Sequence, residues 1–206
     1  MLDSEFTMNQ KRIIISPDTR RKNRIPPGLH ETRTFPVLHY GNVPVIDLDK
    51  WSFRIFGLVD KEVTLTYKEL LALPQVELHC DIHCVTGWSR LDNIFEGIQT
   101  LELKKIVKID PDACHVLVHG YNNFSTNLPI AEFFWEDNLL AHRNDGKEIT
   151  PCHGWPIRLV VPRLYFWKSA KWVTGVEFIK EKRLGFWETY GYHEHGDPWT
   201  EERYSY

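Results

Sequence analysis

The stretch His79-Cys80-Asp81-Ile82-His83-Cys84-Val85-Thr86-Gly87-Trp88-Ser89 concentrates the side chains of this chain that could ligate a metal or attack a substrate. Two imidazoles and two thiols so close together suggest a zinc site, while a nucleophilic thiol needs only a base within hydrogen-bond reach. Backbone geometry separates these readings. Val76, Leu78, Cys80, Ile82 and Cys84 alternate with Glu77, His79, Asp81 and His83. That is the period of a half-buried strand, whose successive side chains point to opposite faces. The histidines then face away from the cysteines, so the four cannot close on one tetrahedral ion. Cys84 stands at the strand's end, where Thr86-Gly87 break the alternation and turn the chain. Cys80, Cys114 and Cys152 read as small apolar residues. Which of the ten histidines would serve Cys84 as a base is not written in the sequence. His193 and His195 form a further metal-binding candidate, set against the reading of their Gly-, Pro- and charge-rich tail as a surface loop.

The elements that must position this turn follow from pattern and punctuation. Trp51, Phe53 and Ile55 alternate with Ser52, Arg54 and Phe56, a strand closed by Gly57, and Val63-Thr64-Leu65 is another. Thr66 with Glu69 makes a capping box that opens a helix from Tyr67 to Leu73, stopped by Pro74. Residues 99–107 have helical spacing, and Pro111 separates them from a strand between Cys114 and His119. Asn122-Asn123 and Asn127-Leu128-Pro129 bracket a polar, aromatic loop. Residues 130–135 form one or two helical turns, and Asn144-Asp145-Gly146 is a hairpin turn. A strand from Ile157 to Val161 lies between prolines. An aromatic, basic loop from Tyr165 to Trp172 precedes a strand from Val173 to Ile179 and a tail rich in Trp, Tyr and His. Short strands with scattered short helices predict an α+β domain with a mixed sheet or barrel-like core. Residues 1–30, basic and broken by prolines, read as an extended arm before a domain spanning 31–206; residues 1–7 read as an addition ahead of a natural start at Met8.

Composition bounds the rest. At 206 residues, 42% hydrophobic and 26% charged, the chain is an ordinary globular one with room for a sizeable core. A net charge of −3 gives no reason to expect a nucleic-acid or anionic-membrane partner. Eight Trp, eight Tyr and eleven Phe call for a roomy core or a lined pocket. Four cysteines do not make a disulfide scaffold, no run has the length of a membrane span, and the start has no secretory signal pattern. The cytoplasm is the default compartment.

Cys84-Val85-Thr86-Gly87-Trp88-Ser89 resembles the Cys-Val-x-x-Trp-Ser segment of molybdopterin-dependent oxidoreductases with the sulfite oxidase fold. Phe35-Pro36-Val37-Leu38-His39-Tyr40-Gly41, Asn127-Leu128-Pro129, the run from Pro156 to Pro162, and Trp167-Lys168-Ser169-Ala170-Lys171-Trp172 are similar to that family in the same order. So is the tail from Gly185-Phe186-Trp187-Glu188 to Arg203-Tyr204. The resemblance covers nearly everything after residue 30. It implies that Cys84 supplies the one protein thiolate on molybdenum, a soft ligand that binding deprotonates. It further implies that His39, Gly120, His153, Arg158, Ser169, Ala170 and Lys171 approach the pterin, with Arg158 and Lys171 anchoring its phosphate. His153 departs from relatives that carry Asn there. Tyr121 falls near the same site, Trp88 and Trp167 can wall the cleft, and Arg90 is placed to attract an anionic substrate. Read without the resemblance, Arg158 and Lys171 are solvated surface charges.

The implied function is oxygen-atom transfer or two-electron chemistry on a small oxo-substrate of the sulfite, sulfoxide or N-oxide class. The chain has no room for a haem or added dimerisation domain, so a separate redox partner is expected. The alternative is a non-catalytic module that keeps the fold and a pterin or small-molecule pocket, since folds outlive their chemistry. A weaker rival is a zinc or iron protein using His193 and His195.

Overall fold

The computed structural model describes residues 11–205, so the expectation for residues 1–7 lies outside the described residues. Its strands are β1 (Arg12–Ile15), β2 (His30–Glu31), β3 (Ser52–Gly57), β4 (Val63–Thr66), β5 (Gln75–Cys84), β6 (Trp88–Gln99), β7 (His115–Gly120), β8 (Ser125–Pro129), β9 (Leu139–Asn144), β10 (Lys147–Glu148), β11 (Arg158–Val160) and β12 (Val173–Ile179). One mixed sheet runs β1-β5-β6-β9-β10, with β11 on β9 and β2 on β6; the other runs β4-β3-β12-β7-β8. Short helices α1 (Tyr67–Leu71), α2 (Ile130–Phe133) and α3 (Phe186–Thr189) join them. This is the expected α+β architecture. No helix among the described residues is long and apolar enough to cross a membrane.

Alternation places the core. On β9, Leu140 joins the cluster that also holds Phe53, Ile55, Val116, Val118, Val176 and Phe178, and so lies between the two sheets. Its neighbours Leu139 and Ala141 join Val76, Leu78, Cys80, Ile82, Cys84 and Phe95 in a second cluster on the opposite face. The first sheet is thus buried on both sides. Gly97 lets β6 approach β9: a Cβ there would lie 2.1 Å from the Leu140 carbonyl oxygen.

β5 alternates as expected, but it is not half-buried throughout. From Cys80 to Cys84 both faces are buried. Part of the covering comes from residues expected to stay an unpacked arm. β1 pairs in parallel with β5, Arg12 opposite Val76 through Ile15 opposite His79. Ser16 Oγ donates to Asp137 at 2.7 Å. Arg24 forms a bidentate pair with the fully buried Asp81, at 2.8 and 2.6 Å. The polar face of the strand is therefore closed by Arg24 on Asp81 and by Trp199 against His83.

Other expectations shift for local reasons. The capping box is present, with Thr66 accepting from the Glu69 amide and Glu69 accepting from Thr66, and the helix ends at Leu71. Residues 100–105 coil as a 3-10 helix rather than an α-helix, because Ile98 and Gln99 are still paired to β9 in β6. Ser125–Pro129, read as loop, is strand β8 on β7. β6, the longest strand, escaped the sequence pattern: a bulge with Asp92 at φ 53 shifts its register between Arg90 and Asn93 and breaks its alternation. The hairpin at Asn144-Asp145-Gly146 joins β9 to β10.

The tail is held by charge. His195 lies between Glu132, at 3.3 Å, and Glu202, at 2.7 Å, and His193 also faces Glu202 at 3.3 Å. Among the described residues no group of three or more His, Cys, Asp or Glu can hold a metal. The carboxylates Glu132 and Glu202 hold His195 up at about 9, against an ordinary 6.5.

Two outcomes follow from these pairs. Arg24→Met leaves Asp81 buried without its partner, and denaturant unfolding should show a loss of about 3–5 kcal/mol. Because the folded state raises the His195 pKa, its contribution is complete below the unfolded value and is lost as pH rises through about 9. His195→Asn should therefore lower Tm by about 2–4 °C near pH 6, the shift for about 1 kcal/mol in a chain this size, and the deficit should close above about pH 9.5.

Candidate active site

Cys84 ends β5 opposite Trp88 at the start of β6, and the turn between them closes with the Gly87 amide on the Cys84 carbonyl at 3.0 Å. The thiol is 8% exposed and lies 3.1 Å from the Thr86 hydroxyl. Burial pushes it up, Thr86 and the charge of Lys171 oppose that, and the free cysteine stays a thiol until something more cationic binds it. The sulfur lines a cavity of about 260 Å³ whose wall is mostly aromatic, with Trp88 and Trp167 on it as expected. Tyr40, Trp187 and Tyr192 also line it. All three fall in segments similar to the family, but no role is read for them there beyond the aromatic load of the chain.

The same cavity is lined by His39, Arg158, Ser169 and Lys171 and, among the described residues, by no Asp or Glu. Arg158 is 1% exposed, not a surface charge. Its guanidinium donates to the carbonyls of His153 at 2.9 Å and Ser169 at 3.1 Å and sits 4.2 Å from the Phe166 ring centroid. Burial pushes it down to about 9, so it is still charged at neutral pH. Lys171 donates to the carbonyls of Leu38 and Cys152, both at 2.7 Å. Burial and the nearby Arg158 push it down to about 7. Arg158, charged, and Lys171, half-protonated near neutral pH, have carbonyls as their partners, an arrangement that can receive an anion, because a phosphate would favour the charged forms that burial disfavours.

Three expected residues stand behind this surface instead of on it. Gly120 lets β7 meet the 171–172 backbone, since a Cβ there would lie 2.7 Å from the Lys171 carbonyl oxygen; the next residue, Tyr121, does line the cavity. Ala170 is buried, its carbonyl accepting from the Leu159 amide at 2.8 Å. His153 donates from Nε2 to the Phe35 carbonyl at 3.0 Å and takes the Thr150 hydroxyl at Nδ1, 2.8 Å. Its ring packs against Phe35 at 4.3 Å, so it holds the lip of the cavity and, through its carbonyl, Arg158.

Arg90 is not brought into the cavity. It is paired with Asp145 and with the Asn93 side chain, and its charge is met before any substrate arrives. His83 is fully buried, bonded to Ser89 at 2.9 Å and packed edge-on against Trp199 at 5.6 Å. Burial pushes it down to about 4, which makes it a neutral structural residue. Behind Trp167, the buried Lys168 binds Glu188 at 2.6 Å and Asn127 at 2.8 Å. Glu188 also accepts from the Trp167 indole at 3.2 Å, tying α3 to the cavity wall.

Comparison with known proteins agrees with this chemistry. The oxidoreductase molybdopterin binding domain matches residues 40–187. The oxidoreductase YuiH of Bacillus subtilis is 44% identical over 187 residues, covering 90% of this chain and 94% of the relative. The protein-methionine-sulfoxide reductase catalytic subunit MsrP of Campylobacter jejuni is 30% identical, over 71% of this chain but about half of its own length, 54%. The sulfane dehydrogenase SoxCD from Paracoccus pantotrophus superposes with a TM-score of 0.64 at 19% identity, over 69% of this chain and 41% of that one, a likeness of fold alone. With a free thiol and two carboxylate-free cations on one cavity, the residues present fit a dithiolene-bearing pterin phosphate and its metal. This chain belongs to the molybdopterin-binding oxidoreductase family with the sulfite oxidase fold, and molybdopterin with molybdenum is its cofactor.

Proposed function

We propose that the chain reduces a small neutral oxide, of the sulfoxide or N-oxide class, at the cavity that Cys84 lines. The molybdenum cofactor, when bound, supplies the two-electron oxygen-atom chemistry. Cys84 is the protein's thiolate ligand. Arg158 and Lys171 take the phosphate, with His39 and Ser169 on the same wall; Gly120, His153 and Ala170 hold that wall in place. Hydrogen bonds from His153 and Arg158 keep the lip rigid, and the aromatic lining excludes water from the reacting atoms. Two electrons and two protons convert a sulfoxide to a thioether and water, and a separate redox partner must deliver the electrons. The cytoplasm is read as the compartment, in keeping with four free cysteines.

The observation that carries the choice of a neutral substrate is electrostatic. Arg90 is already paired with Asp145, and the cavity's buried cations are claimed by the cofactor. An oxyanion such as sulfite would enter an aromatic mouth with no unpaired cation to receive it. A relative named for protein-methionine-sulfoxide reduction supports the same choice. The rival reading, a binding module without chemistry, has no observation of its own.

The test is metal analysis joined to a substrate screen. Protein from a host that makes molybdopterin should carry about one molybdenum per chain, and Cys84→Ser should lose most of it because hydroxyl oxygen is a poor substitute for soft thiolate. A Cys84→Ser variant that kept its metal and its activity would remove the ligand assignment. An enzyme faster with sulfite than with an aryl methyl sulfoxide would remove the substrate. Arg158→Met should have opposite effects on the two forms. It should weaken cofactor retention by about 2–5 kcal/mol. Cofactor-free protein should melt no lower than its parent, since a buried, uncompensated charge is gone.

A further inference from the structure

The side chain that reaches the cysteine turn from the far end of the chain is Arg203. Its Nη1 donates to the Val85 carbonyl at 2.9 Å, the first carbonyl after Cys84. Its Nη2 donates to the Pro27 carbonyl at 3.1 Å. The guanidinium lies 5.5 Å from the Tyr165 ring centroid, and Tyr165 stacks on the cavity wall residue Trp167 at 5.1 Å. The Glu201 carboxylate stands 3.7 Å away, and the arginine side chain is 21% exposed.

The turn is gripped from the other side as well. The His30 amide donates to the Gly87 carbonyl at 3.0 Å, where β2 pairs with β6. Two carbonyls of the turn are therefore taken by segments remote in sequence. Arg203 can do this because its own backbone is fixed: its carbonyl accepts from the His193 amide at 3.2 Å, and Tyr204 bridges to Tyr192, another cavity residue. A planar guanidinium offers several donors in a rigid fork, the geometry needed to bridge two carbonyls at once.

We propose that Arg203 is a positioning residue for the Cys84 ligand. By holding the Val85 carbonyl it fixes the Val85–Thr86 peptide plane, next to the Cys84–Val85 plane whose carbonyl the Gly87 amide already holds, and so steadies the turn that sets the direction in which the sulfur enters the cavity. Without that bond the plane is free to rotate, because Thr86 is exposed and the Val85 carbonyl turns to water. Arg203 is not among the residues that line the cavity. It acts through the turn and joins the two ends of the chain across it.

The inference rests on Cys84 being the ligand, but its test does not need the metal. Cofactor-free protein carrying Cys114→Ser and Cys152→Ser keeps Cys84 and the fully buried Cys80, the latter a reporter of general loosening. Iodoacetamide labelling is followed by peptide mass spectrometry. Arg203→Met should label Cys84 about ten-fold faster, through local opening of the turn. Arg203→Lys, whose ammonium still reaches a carbonyl, should stay within about two-fold of the parent. Cys80 should remain unlabelled throughout. Three results overturn the proposal: unchanged Cys84 labelling in Arg203→Met, equal acceleration of Cys80 and Cys84, or Arg203→Lys labelling as fast as Arg203→Met. Loss of molybdenum in Cys84→Ser tests the ligand separately, so failure of one reading is distinguishable from failure of the other.

Discussion

The antiparallel pairing of β5 with β6 is the constraint on which the site depends. Cys84 and Trp88 are the last paired residues before the turn, so the ladder delivers the sulfur to one place at the edge of a sheet buried on both faces. β1 extends the sheet beside β5, and the side opposite the cysteines is closed by Trp199 against His83 and by Arg24, which neutralises Asp81. An unpaired Asp81 in that position would cost more than the local packing returns. The position of the Cys84 sulfur is thus supported by an ion pair on the other face of the same strand.

Charge in the cavity follows the same economy of partners. Lys168 is buried with a carboxylate, Glu188, and serves the wall. Arg158 is buried and Lys171 half-buried, and among the described residues their side-chain hydrogen bonds go to carbonyls, so their charge has no carboxylate beside it. Arg90, with Asp145 as partner, keeps none to spare. Sorting these four side chains by whether they own a carboxylate separates Lys168 and Arg90, which do, from Arg158 and Lys171, which line the cavity without one.

Much of this was legible beforehand. The alternation of β5, the capping box at Thr66 and Glu69, the hairpin at Asp145-Gly146 and the apolar run of β11 are local signals, each set by a few neighbouring residues. β6 was not, because its bulge at Asp92 breaks the period on which strand detection relies. Nor was β8, whose Asn127 and Pro129 look like loop residues until β7 pairs with them. The basic segment before residue 30 looked unpacked because its polar side chains find their partners on β5 and at Asp137, far along the chain.

By itself, the sequence determined that Cys84 ends a strand facing away from His79 and His83, since side-chain direction alternates with period two whatever the fold. Its motifs also marked, through their resemblance to a family, residues expected near a molybdopterin. Only the tertiary structure decided which cations remain without carboxylates. It placed Arg158 and Lys171 on the cavity, Gly120, His153 and Ala170 behind it, and Arg90 against Asp145. Pairing of charges depends on residues dozens of positions apart meeting in space, and no local spacing encodes that. The same holds for Arg203, which reaches Val85 across more than a hundred residues, |i−j| = 118, and fixes the turn that the sequence had already marked as central.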